Sequence, residues 1–519
     1  MDEAVEMIIT NTKLQNIQTM LSFFISGTNN FFFYIIPFLF KAPSILNENI
    51  TKNFCEENNN NNNNNTDIND YINKNISIKN YAIIYQLFCD ENKYKIQLLI
   101  FLYFLIKGIS SMFFGYLIDK IGRKIILFYL SIISFFSFFC LFLSLFSYYF
   151  LIISFILLGL CSFFYIFSAI ITCEFFDRNK GATISSLNIC SGPFFGLLFI
   201  LLLKMFNNLN LLYILFIIFS LILFFYINKY FNESLYYLIS KNEINECFNL
   251  LEKISELNDR KNLYDKIEKE RYINDKIKSF KLNINIIDIF NYNSQKHRLI
   301  NHILLWIFSS FSFYGIFNIL LYYSPLDNFF LKYIIFYTLC ILSQFISGII
   351  SDIYGRRSPL TYLFYISAIS FLIFILTEEK IMIKNIFFFI CIISSSSIYS
   401  LLFIFSSEDF PTCIRGNVLG FLFCVSQIIA LIIYFIDNFL ILGLIISLSN
   451  CIGGRIVESM EDTFELLLDD TFPEMYKNDN LKKRKYRALK CERISTGSDL
   501  YFLTSDDDAF NQETQTKYF

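Results

Sequence analysis

Charge is scarce in this chain. Asp, Glu, Lys and Arg make up 17% of its 519 residues, against about a quarter in a soluble globular protein, so an ordinary water-soluble domain is excluded. Histidine occurs only twice, and in the first half of the chain no carboxylate lies in the middle of an apolar run. No His/Cys/Asp/Glu cluster has metal-ligand spacing, no glycine-rich loop could cradle phosphate, and no nucleophile–base set falls inside the apolar runs. These absences argue against metal chemistry, direct ATP drive and enzymatic catalysis, so no cofactor is expected. The net charge of −2 offers nothing to nucleic acid, and no such partner is expected.

What the chain has instead is apolar surface. Hydrophobic residues make up 55% and aromatics 19%, with a mean hydropathy of +0.48. Runs near the ~20 residues needed to cross a bilayer recur throughout. Twelve spans are expected, near 17–40, 96–118, 126–147, 149–172, 182–204 and 209–229, then 299–322, 329–350, 359–377, 382–405, 416–435 and 437–453, the last of them short. The first run is long and follows a polar start, so it reads as a spanning helix and not as a cleaved signal. The fold class is therefore an all-α polytopic membrane protein whose partner is the lipid bilayer, and a monomer is expected.

The division is into an N-terminal half, 1–229, with an outer loop at 42–94; a charged central loop, 230–297; a C-terminal half, 298–454; and a polar tail, 455–519. Lys120, Arg123, Lys124, Arg178, Lys180, Arg356 and Arg357 crowd the loops on one side. By the positive-inside rule that side is cytoplasmic, as are both termini, in the plasma membrane or an organelle membrane. Most of the thirteen cysteines lie in apolar runs and act as small hydrophobes. Cys55 and Cys89 alone share a polar loop, where one disulfide is expected, and sequons at Asn49, Asn64 and Asn75 make the same loop a glycosylation target.

"GYLIDKIGRK" (115–124) returns as "GIISDIYGRR" (348–357), 233 positions later. "TCEFFDRNKG" and "SSEDFPTCIRG" form a second pair, with Glu174 and Glu408 234 positions apart. Two signatures in register imply one six-span unit duplicated. An Asp at the C-terminal end of its own helix meets the negative end of the dipole. It is tolerable where it meets a cation or the N-terminus of a neighbouring helix, so Asp119 and Asp352 are expected to latch the cytoplasmic side shut. Gly115 and Gly122 would allow close backbone approach. Arg123, Lys124, Arg178, Arg356, Arg357, Arg415, Glu174 and Glu408 are the candidate gating partners, with topology anchoring as the plainer role for the basic residues.

This pattern resembles the major facilitator superfamily over nearly the whole chain. The resemblance implies two six-helix halves rocking about a midplane site. Within it, "LFCDENKYKIQLLIFLYFLIKGISSMFFGYLIDKIGRK", "NESLYYLISKNEINECFNLLEKI" and "SSEDFPTCIRGNVLGF" are similar to the organic cation/anion transporters. In that family a charged residue in span eleven follows the motif arginine by twelve positions; counting from Arg415 gives Gln427, an uncharged amide. "NILLYYSP" (318–325) and Asn188 instead resemble hexose carriers, so a sugar facilitator is the second reading, and a non-transporting solute sensor on the same fold is the third.

A charge in mid-membrane is costly and marks function. Lys107 lies twelve residues before Asp119, ~18 Å along a helix, and is expected either to face a cavity or to pair with a helix-end carbonyl or carboxylate. Gln427, Lys107, Asn188, Asn318, Tyr165 and Asn30 are the candidate substrate contacts. His297 and His302 read as hydrated loop residues near span seven. With no carboxylate in mid-span in the first six helices, facilitated diffusion is expected over proton symport.

Overall fold

Apolar segments in lipid must satisfy their backbone internally, and the helix does this within one segment. The structure, a computed structural model, describes residues 13–40, 80–85, 87, 92–175, 178–206, 208–241, 243–257, 289, 293–322, 329–377, 380–436 and 438–463. These hold helices and turns and no strand. Cys55, Cys89, Asn49, Asn64 and Asn75 lie outside the described residues, as does the side chain of Arg178. The chain divides into a compact unit, Met1–Met475, and a second, Tyr476–Phe519; the second lies wholly outside the described residues.

Among the described residues twelve long helices follow one another. In the first half they are α1 (Lys13–Leu39), α2 (Lys93–Ile121), α3 (Arg123–Leu143), α4 (Tyr148–Phe175), α5 (Lys180–Phe206) and α6 (Leu209–Tyr230). In the second half they are α7 (Asn293–Tyr322), α8 (Phe329–Tyr354), α9 (Arg357–Leu376), α10 (Ile381–Asp409), α11 (Arg415–Tyr434) and α12 (Phe439–Glu458). Eleven are long and apolar enough to cross a membrane. The twelfth, α1, has 27 residues, and the inward-facing polar run Thr28, Asn29, Asn30 lowers its hydropathy.

Local chemistry sets the ends and breaks. α4 is interrupted at Ser162, whose hydroxyl donates to Gly159 O at 2.7 Å and competes with the helix ladder. α5 breaks at Cys190, just ahead of Pro193, which has no N–H to continue the ladder. Asn208 and Asn438 cap α6 and α12, the sixth helix of each half. Many boundaries differ from expectation by a few residues. α12 runs on to Glu458, placing Arg455 in its last turn, so the final span is not short. α7 begins at Asn293 because its polar first turn extends beyond the apolar run, and α2 begins at Lys93 for the same reason.

Each pairing in one half has its counterpart in the other: α1–α5 with α7–α11, α3–α6 with α9–α12, α2–α4 with α8–α10 and α1–α4 with α7–α10. The halves meet along two seams, α2 against α11 and α5 against α8. Both use small residues to bring backbones together. A Cβ on Gly115 would lie 3.1 Å from Gly420 Cα, and one on Gly348 would lie 2.9 Å from Ala182 O. Among the eleven spans apolar enough to cross, α10 is the most enclosed and α6 the least, 72% against 33% of the apolar window.

Candidate functional site

At the face carrying the basic loops, hereafter the basic face, Asp119 ends α2 and crosses to the other half. It accepts from Gly416 N at 3.1 Å and Asn417 N at 2.7 Å, so it caps the N-terminus of α11. Asp352, ending α8, does the same to α5. It accepts from Ala182 N (3.1 Å), Thr183 N (2.8 Å) and Thr183 Oγ1 (2.6 Å). Each carboxylate is thus moved from the unfavourable end of its own helix dipole to the favourable end of another.

The basic residues brace these caps. Arg123 is fully buried, 2.8 Å from Glu174 and 3.6 Å from Asp119, with Tyr237 stacked 4.4 Å from its guanidinium. Arg415 reaches Glu174 from the other half at 3.3 Å. In the second half Arg356 lies 3.2 Å from Asp352 and 3.0 Å from Glu408. Arg357 donates to Glu458 O, and Lys124 contributes its backbone amide.

A third layer starts the helices that follow. Gly122 and Gly355, the second glycine of each motif, take φ +122° and +88°, where a side chain would be strained. The role of Gly122 is therefore this turn, while close interhelix approach belongs to Gly115. Beyond Gly122, Glu233 accepts from Arg123 N (2.9 Å) and Lys124 N (3.0 Å); beyond Gly355, Asp462 accepts from Arg356 N (3.0 Å). Burial raises the Glu233 carboxyl above its ordinary range, opposed by those amides and by Arg123. Asp462 had no signal in the sequence beyond its place just after the last span.

On the opposite face a chamber of about 390 Å³ opens between α1, α2, α7, α8 and α11, with Asn318 and Lys332 among its walls. Below it lies a central cavity lined by Asn30, Phe33, Tyr34, Lys107, Tyr165, Phe313, Tyr314, Tyr399 and Phe423. Its volume is about 10 Å³, room for about one water. Phe33 and Tyr314 line both spaces and form the wall between them. Phe313 stacks on Tyr399 at 4.1 Å, and the Tyr314 and Tyr399 hydroxyls lie 3.1 Å apart.

Three of the expected contact residues, Lys107, Tyr165 and Asn30, thus come together in one cavity. Gln427 stands one hydrogen bond behind it, donating Nε2 to Tyr314 Oη at 2.9 Å. Asn318 lines the outer chamber, its amide bound to Ile433 O and Ile436 O. Asn188 is buried elsewhere, donating to Ser22 Oγ at 2.8 Å. Phe33, Phe313, Tyr399 and Phe423 were not singled out by sequence.

His302 corrects an expectation. It is not a hydrated loop residue but lies fully buried in α7, with Nε2 2.9 Å from Asp409 Oδ2 and Nδ1 3.0 Å from Ser406 Oγ. Ser406 accepts from Trp306 Nε1 at 2.9 Å, and Arg298 pairs with Asp409 at 3.4 Å. His297 is on the same helix and exposed.

A family model described as Major Facilitator Superfamily matches residues 19–434. No curated protein sequence matches the chain. Among solved structures, the proton:xylose symporter XylE bound to 6-bromo-6-deoxy-D-glucose is similar at TM-score 0.60 and 13% identity, covering 87% of this chain and 96% of that one. XylE from E. coli in a partially occluded inward-open conformation is similar at TM-score 0.54 and 14% identity, over 87% and 98%. The human organic anion transporter MFSD10 is similar at TM-score 0.56 and 10% identity, over 86% and 99%. Identities this low speak to fold alone, and the fold they share is the twelve-helix, two-half arrangement built above. The chain belongs to the major facilitator superfamily and is a multi-pass membrane transporter.

Proposed function

We propose that this transporter moves a small polar organic solute by alternating access, in the manner of the organic cation/anion carriers, and that the basic face is cytoplasmic. One observation carries the reading. Backbone amides of one half hold carboxylates of the other at the basic face, while a chamber on the opposite face leads down to a nearly closed, polar-lined cavity. This is the arrangement of an outward-facing carrier, with Phe33 and Tyr314 as the inner door. Rocking the halves would release the two caps and open the cavity to the cytoplasm. Neither space is lined by a carboxylate or a histidine among the described residues, which supports passive transport over proton coupling.

The test is uptake of labelled organic anions, cations, zwitterions and hexoses into vesicles containing the purified chain. Saturable uptake of an organic ion supports the reading, and saturable uptake of a hexose alone transfers it to the sugar facilitators. Binding without uptake of any member points to a solute sensor.

A further inference from the structure

Lys107 faces the central cavity without a counter-charge. It is 2% exposed, and among the described residues its ammonium makes no hydrogen bond or ion pair. Its Nζ lies 5.3 Å from the ring centre of Phe423, 5.5 Å from Phe33 and 5.6 Å from Tyr103. Aromatic faces offset part of the cost of burying an ammonium, but a lysine with a purely structural task ends on a carbonyl or a carboxylate, and this one does not.

The neutral groups around it are also unspent. Asn30, 6% exposed, lines the same cavity and its amide makes no hydrogen bond among the described residues. The same is true of the Tyr34 and Tyr165 hydroxyls. By contrast Tyr314, Tyr399 and Gln427 satisfy one another. No Asp or Glu lines the cavity or the outer chamber among the described residues. A cleft lined by one sign of charge between low-dielectric walls concentrates ions of the opposite sign.

We infer that the transported solute is a small organic monoanion. Its carboxylate, or a similar singly charged oxyanion, pairs with Lys107 Nζ and accepts from Asn30, Tyr34 and Tyr165, while its apolar body packs against Phe33 and Phe423. The inference rests on the transporter reading proposed above and narrows it to one charge class.

The purified full-length chain is tested with small monocarboxylates from lactate to benzoate, each beside its primary amide, with benzylamine and glucose added. Vesicle uptake and ligand-induced rise in melting temperature are both measured. At least one acid should show saturable uptake and stabilise the protein, its amide being about 100-fold weaker, as for loss of one partner from a desolvated charge pair. Lys107→Met should fold with an undiminished melting temperature and lose the distinction between acid and amide; Lys107→Arg should keep it. If the methionine variant does not fold, the comparison of acid and amide on the unmodified chain decides alone. Uptake of benzylamine or glucose with every acid inert would overturn the anion assignment and leave the transporter reading standing. Stabilisation by an acid, lost in Lys107→Met, with no uptake of any probe would keep the anion site and remove the transporter reading. No acid either binding or moving overturns the inference.

Discussion

At the residue scale, single polar side chains do work that their neighbours cannot replace. Asp119 satisfies two amides with two carboxylate oxygens at 3.1 and 2.7 Å. Asp119→Asn retains one acceptor and loses the charge that complements the α11 dipole. Charge-assisted hydrogen bonds are worth about 1.5–3 kcal/mol, so turnover should slow about tenfold or more with a much smaller change in KM. Initial-rate uptake checks this, and full speed in the variant would remove the latch role. Gln427 is a different case, since it touches the cavity through Tyr314. Gln427→Arg adds a second fixed cation near Lys107, whose neighbour Gly108 packs against Gln427. Preference should move about tenfold from monocarboxylates toward dicarboxylates. Competition uptake reads it, and unchanged selectivity counts against Gln427 shaping the site.

At the element scale, the spans and the two aspartate caps were legible and the cavity was not. Apolar runs of ~20 residues stand out wherever charged loops bound them, and boundaries failed at the ends, as where polar turns extend a helix at Asn293 and Lys93 or where α3 stops at Leu143 inside its apolar run. The caps could be read because the motif recurs and because an aspartate at a helix C-terminus demands an explanation. The walls of the cavity carry no such contrast: Phe33, Phe313 and Phe423 are three of 65 phenylalanines, and which of these face inward depends on helix rotation. The His302–Asp409 pair joins positions 107 apart with no shared motif. The seams are a further element-scale feature. A Cβ on Gly420 would meet Ser111 O and sit 3.1 Å from Gly115 Cα. Gly420→Val should therefore wedge α2 from α11, costing the closed basic face about 1–3 kcal/mol by overpacking. Uptake should drop several-fold, with Gly420→Ala intermediate; equal activity in all three would show that the seam is not closely packed during transport.

At the scale of the whole molecule, the two caps join the same pair of rigid halves, related by the internal duplication, and share no partner. Their contributions to the closed state should then add in free energy. If each aspartate-to-asparagine change costs about 1.4 kcal/mol, the ratio of closed to open basic face falls about tenfold for one and about a hundredfold for both. The chain carries its own reporter. Cys173, at the basic end of α4, is half-buried and donates to Ser407 O of α10 at 3.5 Å across the interface between halves, so its thiol becomes more accessible when the halves part. Maleimide labelling at Cys173, followed by mass spectrometry, should speed up about equally in Asp119→Asn and Asp352→Asn and multiplicatively in the double variant. Saturation after the first change would mean that one latch alone holds the face closed. Labelling unaffected by either would mean that the halves do not move as bodies about these caps.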